Sequence, residues 1–365
     1  MEKLRLGIIG IGNMGATHAK NILEGKVPEI EVAAVADIDP ERLKWAEDNL
    51  PDAARFESAV AMMDSGLISA VLIATPHYDH PVSAVSAFER GLHVMLEKPA
   101  GVYTKQVRAM NAAAEKSGTV FGMMFNQRTD HIYRKMRELV QGGTLGAIRR
   151  ANWIITNWYR PQAYYDSGAW RATWRGEGGG VLLNQCPHNL DLWQWICGMP
   201  ETIRAHIHCG KWHDIEVEDD VTAYVEYPNG ATGVFVTSTG DAPGSNRFEI
   251  TFDKGKLLAE DGKLTLWELD CPEPEFSRIN TEPFGSPNVT VSEVETDGKS
   301  EQHIGVLNAF AGAVLRGEAL VAGGAEGING LTLSNGMHLS AWLDRELSLP
   351  IDEDLYYDEL MKLVR

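Results

Sequence analysis

The sequence is poor in positive charge. Its 365 residues carry 33 Lys and Arg against 51 Asp and Glu, which gives a formal net charge of −18 at pH 7. Because an acidic protein repels phosphate backbones and anionic lipid headgroups, nucleic acids and membrane surfaces are poor candidate partners. The sequence also lacks an apolar run long enough to cross a bilayer. We therefore expect no nucleic-acid partner and no membrane partner.

Cysteine is also scarce, and its spacing excludes the common cysteine-based sites. The four cysteines show neither a C-x-x-C pair nor zinc-site spacing; they are Cys186, Cys197, Cys209 and Cys271. The opening MEKLRLGIIG enters a predicted strand at once, without a charged leader and an apolar core. These features predict a cytoplasmic protein with reduced thiols and no metal site.

The first 125 residues alternate regularly between strand-like and helix-like segments. Leu4–Ile9 and Glu31–Ala36 have the pattern of strands buried on both faces. Strands separated by helices favour a parallel sheet with helices on both faces. The other predicted strands are Ala70–Ala74, His93–Leu96 and Thr119–Met123, and the predicted helices include Pro40–Asn49, one capped by Asp79, and Lys105–Ser117.

A glycine-rich turn follows the first strand and opens the first helix. Gly10, Gly12 and Gly15 form G-x-G-x-x-G, which permits a tight turn, close approach of a pyrophosphate and close helix–strand packing. The helix N-terminus offers free N–H groups to the phosphates. Asp37 follows the second strand, where a carboxylate accepts hydrogen bonds from ribose hydroxyls and repels a 2′-phosphate. This pattern predicts NAD and leaves NADP open, because Arg42 lies near Asp37 in the sequence.

Two further segments follow predicted strands of the same sheet. These are ATPHYDH at 74–80 and EKPAG at 97–101, and ligands of such sheets bind beyond the carboxyl ends of the strands. We expect Asn126 and Arg128, just past the last strand, to face the same cleft. The cofactor contacts expected from these segments are Gly10, Gly12, Asn13, Met14, Gly15, Asp37, Ile38, Ala74, Thr75, Pro76, His77, His80, Glu97, Lys98 and Asn126.

From about residue 147 the pattern changes to long β-rich runs such as DVTAYVEYP and ATGVFVTST. Turn pairs Asn229-Gly230 and Asp261-Gly262 favour hairpins, so this half predicts one large, mostly antiparallel sheet. Several runs are apolar on both alternations, which predicts that a subunit contact covers the second face. Residues 270–297 are rich in Pro, Glu and Ser and predict a loop. The helices expected to cover the first face are Ile132–Gln141, Pro187–Cys197 and His303–Arg316.

Together these patterns predict a two-domain α/β protein. Residues 1–125 would form a doubly wound parallel Rossmann sheet that binds NAD(P). Residues 126–365 would form an α+β domain with a large, mostly antiparallel open sheet, which binds substrate and joins subunits.

Three motifs resemble the Gfo/Idh/MocA family of glucose–fructose oxidoreductases, inositol dehydrogenases and rhizopine catabolism proteins. They are the glycine turn, the triplet Glu97-Lys98-Pro99, and the run GGGVLLNQCPHNLD at 178–191. The resemblance covers nearly the whole chain. It implies NAD or NADP as hydride carrier, sugars or polyols as substrates, and homodimers or homotetramers built through the open sheet face.

The resemblance also implies roles for individual residues. Lys98 matches the family's catalytic lysine and His188 its catalytic histidine, while Asn184 stands where inositol dehydrogenase-like members carry an aspartate. His77 stands where many members have asparagine. Trp170-Arg171 matches a frequent pair near the nicotinamide and joins the expected cofactor contacts.

The predicted reaction is oxidation of a secondary hydroxyl of a sugar, polyol, inositol or glycoside to a ketone. His188 would accept the hydroxyl proton and Lys98 would donate a hydrogen bond to the same oxygen, although Lys98 as proton acceptor stays open. An aromatic and basic segment at 157–177 has the composition of a sugar-binding surface or of a packed cluster. The expected substrate contacts are Lys98, Arg128, Tyr159, Arg160, Tyr164, Trp174, Asn184 and His188.

Two other functions remain open on the sequence. An NAD-dependent glycosidase or epimerase would use the same pocket and oxidise its sugar only transiently. A non-catalytic regulator that senses NAD or sugars would use the same fold, although it would have no need of both Lys98 and His188.

Overall fold

The structure, a computed structural model, describes residues 3–364 and divides into two compact units. The first unit comprises residues 3–129, 176–178 and 301–331, and the second comprises residues 130–175, 179–300 and 332–364. Within residues 3–364, every helix is too short or too polar to cross a lipid bilayer.

The strands and helices are numbered in chain order. The strands are β1 (Leu4–Ile9), β2 (Ile30–Ala36), β3 (Ala54–Phe56), β4 (Ala70–Ile73), β5 (His93–Leu96), β6 (Phe121–Met123), β7 (Ile148–Ile155), β8 (Thr202–Cys209), β9 (Glu218–Glu226), β10 (Thr232–Ser238), β11 (Asn246–Phe252), β12 (Gly255–Glu260), β13 (Lys263–Leu269), β14 (Val289–Glu293) and β15 (Leu347–Ser348). The helices are α1 (Asn13–Leu23), α2 (Pro40–Asn49), α3 (Ala59–Met63), α4 (Asp79–Phe88), α5 (Thr104–Ser117), α6 (His131–Gln141), α7 (Gln162–Tyr165), α8 (Pro187–Cys197), α9 (Glu273–Ile279), α10 (Gln302–Arg316), α11 (Gly327–Trp342) and α12 (Glu353–Leu363).

The first unit is built on a six-stranded parallel sheet. Its strand order is β3-β2-β1-β4-β5-β6, the order of a dinucleotide-binding Rossmann sheet. The central strands β1 and β4 are apolar on both faces, because helices cover the sheet from both sides. The doubly wound parallel fold predicted from the sequence is confirmed.

Helix α10 packs in the core of this first unit. Its residues Val306, Leu307 and Phe310 are buried with Leu6 and Ile8 of β1. The prediction that this helix covers the antiparallel sheet is wrong. An apolar stripe at helical spacing fits any apolar sheet, so the sequence pattern alone does not choose between the two sheets.

The second unit is built on a nine-stranded sheet, ordered β14-β13-β12-β11-β7-β10-β9-β8-β15. Its pairings are antiparallel except for the parallel pair β7 and β10. Asn229-Gly230 joins β9 to β10 and Asp261-Gly262 joins β12 to β13, so the predicted hairpins and the large, mostly antiparallel sheet are confirmed.

One prediction for this half is wrong. Residues 270–297 were expected to form a loop, but they contain α9 and β14, and β14 extends the sheet by pairing with β13. All five residues of β14 are exposed, so the strand carries no burial pattern that the sequence could reveal.

Aromatic side chains fill the face of this sheet that α8 covers. The Trp153 ring stacks on Phe248 with centroids 4.2 Å apart, and the Trp193 ring from α8 stacks on Phe235 at 5.3 Å. Trp193 therefore belongs to the core of this unit. On the opposite face, Ile154 is 41% exposed and a subunit contact there stays a prediction.

Replacing the core phenylalanine of α10 tests this packing. Phe310→Ala removes a fully buried ring, and we expect it to lower the free energy of unfolding by about 3–5 kcal/mol in urea unfolding followed by circular dichroism. The matched control is Phe284→Ala, because Phe284 is 100% exposed and its loss should change little. Equal effects of the two substitutions would contradict the packing of α10.

Candidate active site

The glycine turn after β1 has two structural glycines and one that faces open space. A Cβ added to Gly10, whose φ is +88°, would lie 2.8 Å from the Ala74 carbonyl oxygen. A Cβ added to Gly15 would lie 2.0 Å from the Gly10 carbonyl oxygen, so only glycine permits this approach of α1 to β1. A Cβ added to Gly12 would meet no atom within 4 Å. The turn therefore leaves room at Gly12 for a phosphate group at the N-terminus of α1.

Asp37 is fixed at the carboxyl end of β2 by the same turn. The Ile11 N–H donates to Asp37 Oδ2 at 2.7 Å, and the Asp39 N–H donates to Asp37 Oδ1 at 3.0 Å. The Arg42 guanidinium lies 4.0 Å from the Asp39 carboxylate, its ion-pair partner in this region. The geometry fits a carboxylate that binds ribose hydroxyls, as NAD requires.

A polar groove lies along α1 and α2 beside this turn. It has a volume of about 360 Å³, and Lys20 and Arg42 bring positive charge to it. Positive charge near the adenosine ribose would also accommodate a 2′-phosphate, so NADP stays open. The groove is lined by Gly12, Asn13, Ala16, Thr17, Lys20, Arg42 and Trp45.

Two buried polar atoms near the carboxyl edge of the sheet have no hydrogen-bond partner among residues 3–364. They are the Thr75 hydroxyl, after β4, and Oδ1 of Asn126, after β6. Because buried polar groups are nearly always hydrogen-bonded, such atoms are suited to a polar ligand. The Thr75 hydroxyl and Asn126 Oδ1 are suited to the carboxamide half of a dinucleotide, and the phosphate turn and Asp37 are suited to its pyrophosphate and ribose.

A buried carboxylate anchors the backbone of Lys98. Glu97 Oε1 lies 2.7 Å from His18 Nε2 of α1, and Glu97 Oε2 accepts the Lys98 N–H at 3.1 Å. Burial raises the pKa of Glu97, but His18, Lys98 and His303 lower it more, and the result is a pKa of about 2. Glu97 is therefore an anion beside the proposed catalytic lysine.

Other residues expected at the cofactor or the substrate make contacts inside the first unit. The His77 ring Nδ1 lies 3.0 Å from the Glu177 carbonyl oxygen, and His80 is buried with both ring nitrogens at carbonyl oxygens. The Arg128 side chain is 1% exposed and pairs with Glu326 at 2.8 Å, which indicates a structural role within this unit. Ile38 is 91% exposed and open to a ligand.

In the second unit a buried glutamate holds the glycine turn that precedes α8. Glu218 Oε1 accepts the N–H groups of Gly180 at 2.9 Å and Leu182 at 3.1 Å. A Cβ added to Gly180 would lie 2.0 Å from the Glu218 carbonyl oxygen, so this close approach requires glycine. Gly180, the last glycine of the GGG run, therefore allows this turn to pack against β9.

The other oxygen of Glu218 faces a histidine on α11. His338 Nε2 lies 3.1 Å from Glu218 Oε2, and both side chains are fully buried. Burial raises the pKa of Glu218, but His338 and the backbone N–H groups lower it more, so the pKa lies below its usual value. Neither residue was proposed from the sequence, because the two are 120 positions apart and no motif links them.

Asn184 and His188 lie at the entrance to α8 but not on one helix. Helix α8 begins at Pro187, and Asn184 belongs to the preceding turn, where its N–H donates to the Gly180 carbonyl oxygen. Asn184 and His188 therefore do not share a face of α8. His188 stands in the first turn of α8 and is 9% exposed.

The aromatic and basic segment packs around one tyrosine. The Arg160 and Arg171 guanidiniums lie 5.1 Å and 4.6 Å from the centroid of the Tyr164 ring. Arg171 Nη1 donates to the Tyr164 hydroxyl at 2.9 Å, and Gln185 Nε2 donates to it at 3.4 Å. Because Gln185 neighbours Asn184 in the chain, this cluster is tied to the entrance of α8.

Other aromatic residues of the segment have different environments. The Trp174 ring is buried and packs against His338 at 5.6 Å and Trp342 at 5.7 Å, which favours the packed-cluster interpretation for this residue. Tyr159 is 47% exposed, and the Trp170 ring lies 4.6 Å from the Arg171 guanidinium.

Comparison with known proteins identifies the family. The profile of the oxidoreductase family with an NAD-binding Rossmann fold matches residues 4–125, and that of the Gfo/Idh/MocA C-terminal domain matches residues 133–258. Inositol 2-dehydrogenase 1 of Paenarthrobacter aurescens is 34% identical over 281 residues, 72% of this chain and 78% of that protein. The chain belongs to the Gfo/Idh/MocA oxidoreductase family. Family membership confirms the resemblance and the NAD-binding Rossmann domain.

Other family members extend the comparison. The rhizopine catabolism protein MocA of Rhizobium meliloti is 29% identical over 203 residues, 55% of this chain, and the match spans only 60% of the length of that relative. The WlbA dehydrogenase of Chromobacterium violaceum, solved with NADH and UDP-GlcNAcA, superposes with a TM-score of 0.83 at 28% identity. The superposition covers 96% of this chain and 97% of that one, and it confirms the fold over both units.

Acid titration tests the buried carboxylate beside Lys98. Because the pKa of Glu97 falls from 4.5 to about 2 on folding, its stabilisation is complete above the unfolded pKa and is lost as pH falls from about 5 towards 2. This group should contribute on the order of 3 kcal/mol to the loss of stability over that range. We expect Glu97→Gln to be less stable at pH 7 and to lose less stability on acidification, as measured by urea unfolding.

The matched control is Glu57→Gln, because Glu57 is exposed. It should follow the wild-type curve of unfolding free energy against pH. An equally steep curve for Glu97→Gln would show that Glu97 is not an anion held by the fold.

Proposed function

We propose that this chain is an NAD-dependent dehydrogenase that oxidises a secondary hydroxyl of a sugar, polyol, inositol or glycoside to a ketone. One observation carries the proposal: the open phosphate turn, the oriented carboxylate of Asp37 and the anchored Lys98 all follow strands of one parallel sheet. The inositol dehydrogenase and MocA relatives, and the sugar nucleotide held by the WlbA structure, support the substrate class.

The first unit supplies the groups that would hold the dinucleotide. The turn at Gly12 and the N-terminus of α1 would bind the pyrophosphate, and Asp37 would bind the adenosine ribose. The Thr75 hydroxyl and the Asn126 amide oxygen would bind the carboxamide half. When bound, nicotinamide supplies the hydride acceptor, and the protein supplies placement and proton handling.

The charges around Lys98 favour different catalytic roles for Lys98 and His188. Lys98 lowers the pKa of Glu97, and by the same interaction the Glu97 anion favours the ammonium form of Lys98. An ammonium group donates hydrogen bonds and does not accept a proton. We therefore assign oxyanion stabilisation to Lys98 and acceptance of the hydroxyl proton to His188.

Residues of the second unit would recognise the substrate. The cluster of Tyr164, Arg160 and Arg171 offers an aromatic ring and guanidinium donors beside the turn that carries Asn184. Tyr159 is the exposed aromatic side chain next to this cluster. We propose contacts of these residues with sugar C–H faces and hydroxyls.

We propose that the enzyme is a homodimer or homotetramer joined through its large sheet. The sheet face opposite α8 exposes Ile154 and Tyr224, which are 41% and 39% exposed. Exposed apolar side chains on a large open sheet are typical of a subunit contact.

The charge of Asp37 should decide between the two dinucleotides. Asp37→Asn keeps the side-chain shape but removes the charge-assisted hydrogen bond to ribose and the repulsion of a 2′-phosphate. We expect the ratio of kcat/KM for NAD to that for NADP to fall by roughly 10–100-fold. The exposed residue Asp52 provides the control, since Asp52→Asn should leave this ratio unchanged. An unaltered ratio in Asp37→Asn would exclude Asp37 as the selecting residue.

Variants at the entrance to α8 test the proton acceptor. His188→Gln should lower kcat by roughly 10²–10⁴-fold while NAD binding, measured by calorimetry, is retained. Asn184→Asp should raise the pKa of His188 by stabilising the imidazolium, so the acid limb of kcat/KM should shift to higher pH. Asn49→Asp, at the exposed end of α2, is the matched control. A His188→Gln enzyme with wild-type kcat would refute the assignment.

The function itself is tested by a substrate panel. Polyols, aldoses, inositols and glycosides are offered with NAD or NADP, and reduced cofactor is followed by absorbance. Net formation of NADH with a ketone product is expected. Tightly retained NAD without net NADH would indicate a glycosidase or epimerase, and binding of sugars without any turnover would indicate a sensor.

A further inference from the structure

His80 lies between the two loops that follow β4 and β5. It is the second residue of α4 and is 1% exposed. Its ring Nδ1 is 2.7 Å from the Pro99 carbonyl oxygen, and its ring Nε2 is 2.8 Å from the Thr75 carbonyl oxygen. One imidazole therefore contacts both the segment that carries Lys98 and the segment that carries the Thr75 hydroxyl.

The two contacts require two donors. A carbonyl oxygen only accepts hydrogen bonds, and neutral imidazole has a single N–H, whereas imidazolium has two. At 2.7 Å and 2.8 Å, both contacts are hydrogen bonds only when the ring carries both protons. In the neutral ring one nitrogen lone pair would face a carbonyl lone pair at the same distance, and that loop would have to move away.

The surrounding groups set which form the ring adopts. Burial lowers the pKa of His80, while the two carbonyl oxygens and the carboxylates of Glu97 and Asp79 raise it, and the net pKa lies below the usual value. The His77 ring also lies beside the His80 ring, at 6.0 Å between centroids. The ring therefore makes both hydrogen bonds only below neutral pH, and it loses one of them as the pH rises.

We propose that His80 is a positioning residue whose imidazolium form ties the loop after β4 to the loop after β5, and that loss of one ring proton releases one loop. The sequence analysis placed His80 among the cofactor contacts; this role replaces direct contact, because both ring nitrogens face the protein. The effect on catalysis rests on the proposed function of Lys98, whereas the bridging itself does not.

The bridge is tested on the free enzyme. Ring nitrogens are observed by NMR of ¹⁵N-histidine-labelled protein from pH 5 to 8, and His80 is assigned from the spectrum of His80→Gln, or of His80→Asn if the first variant does not fold. We expect two protonated ring nitrogens at the acid end and one at the alkaline end. Amide hydrogen exchange in 74–78 or 97–101 should rise in the same pH range, beyond the intrinsic change in rate.

The variants separate positioning from a general loss of structure. Gln has donors at only one end of its side chain and does not titrate. At the acid end of the pH range, His80→Gln should therefore exchange faster than wild type in at least one of the two loops, and it should show no such pH step. His93→Gln is the matched control. Burial also lowers the pKa of His93, but its Nδ1 accepts a hydrogen bond from the Val120 N–H and does not bridge the two loops. This control should keep the wild-type pH step in both loops.

Catalysis provides a separate readout. If the proposed dehydrogenase function holds, His80→Gln should lower kcat by roughly 10–100-fold at the acid end of the range, with a smaller change in the KM for NAD. A single ring N–H on His80 throughout pH 5 to 8, or equal loop exchange in His80→Gln and wild type at pH 5, would overturn the proposal. Because these two measurements need no substrate, an inactive enzyme would refute the dehydrogenase function without deciding the bridge.

Discussion

A buried carboxylate that pairs with a histidine and accepts backbone N–H groups is the interaction on which the candidate site depends. Glu97 does this in the first unit, where it faces His18 and holds the Lys98 amide. Glu218 does it in the second unit, where it faces His338 and holds the turn before α8. In both units the anion fixes backbone next to a proposed catalytic side chain.

Such pairs are costly to bury, and their geometry explains how the cost is offset. A carboxylate that leaves water is tolerated in a protein interior when it is paired with a cationic group and accepts hydrogen bonds. Glu97 and Glu218 each present one oxygen to an imidazole and the other to backbone N–H groups. The lowered pKa of each glutamate shows that these partners outweigh burial. A catalytic group attached to such a backbone is held without using its own side chain, as preorganisation requires.

Local patterns in the sequence predicted much of this structure. The bounds of β1, α2, β5 and α8 agree with the predicted ones, because apolar runs, capping residues and proline act over a few residues. The phosphate turn and Asp37 were also predictable, since strand, turn and helix are contiguous in the chain. The location of α10 in the first unit was not, because the same apolar stripe would fit either sheet.

Sequence patterns could not predict the residues that support the site from a distance in the chain. His18 and Glu97 are 79 positions apart, and the contact between His338 and Glu218 is longer still in sequence. Each is an ordinary polar residue within its own segment. Only the folded arrangement shows that His80 faces two carbonyl oxygens. His80 was expected to contact the cofactor, but its ring contacts the protein backbone.

The central claim, that a buried glutamate anion anchors the Lys98 backbone, is tested most directly by the ionisation of Glu97 itself. The side-chain carboxyl of Glu97 can be followed by ¹³C NMR during an acid titration of the free enzyme, with the resonance assigned by its absence in Glu97→Gln. The account predicts a carboxylate that stays ionised while exposed glutamates protonate, with a pKa of about 2. A midpoint at or above the ordinary glutamate value of 4.5 would contradict it.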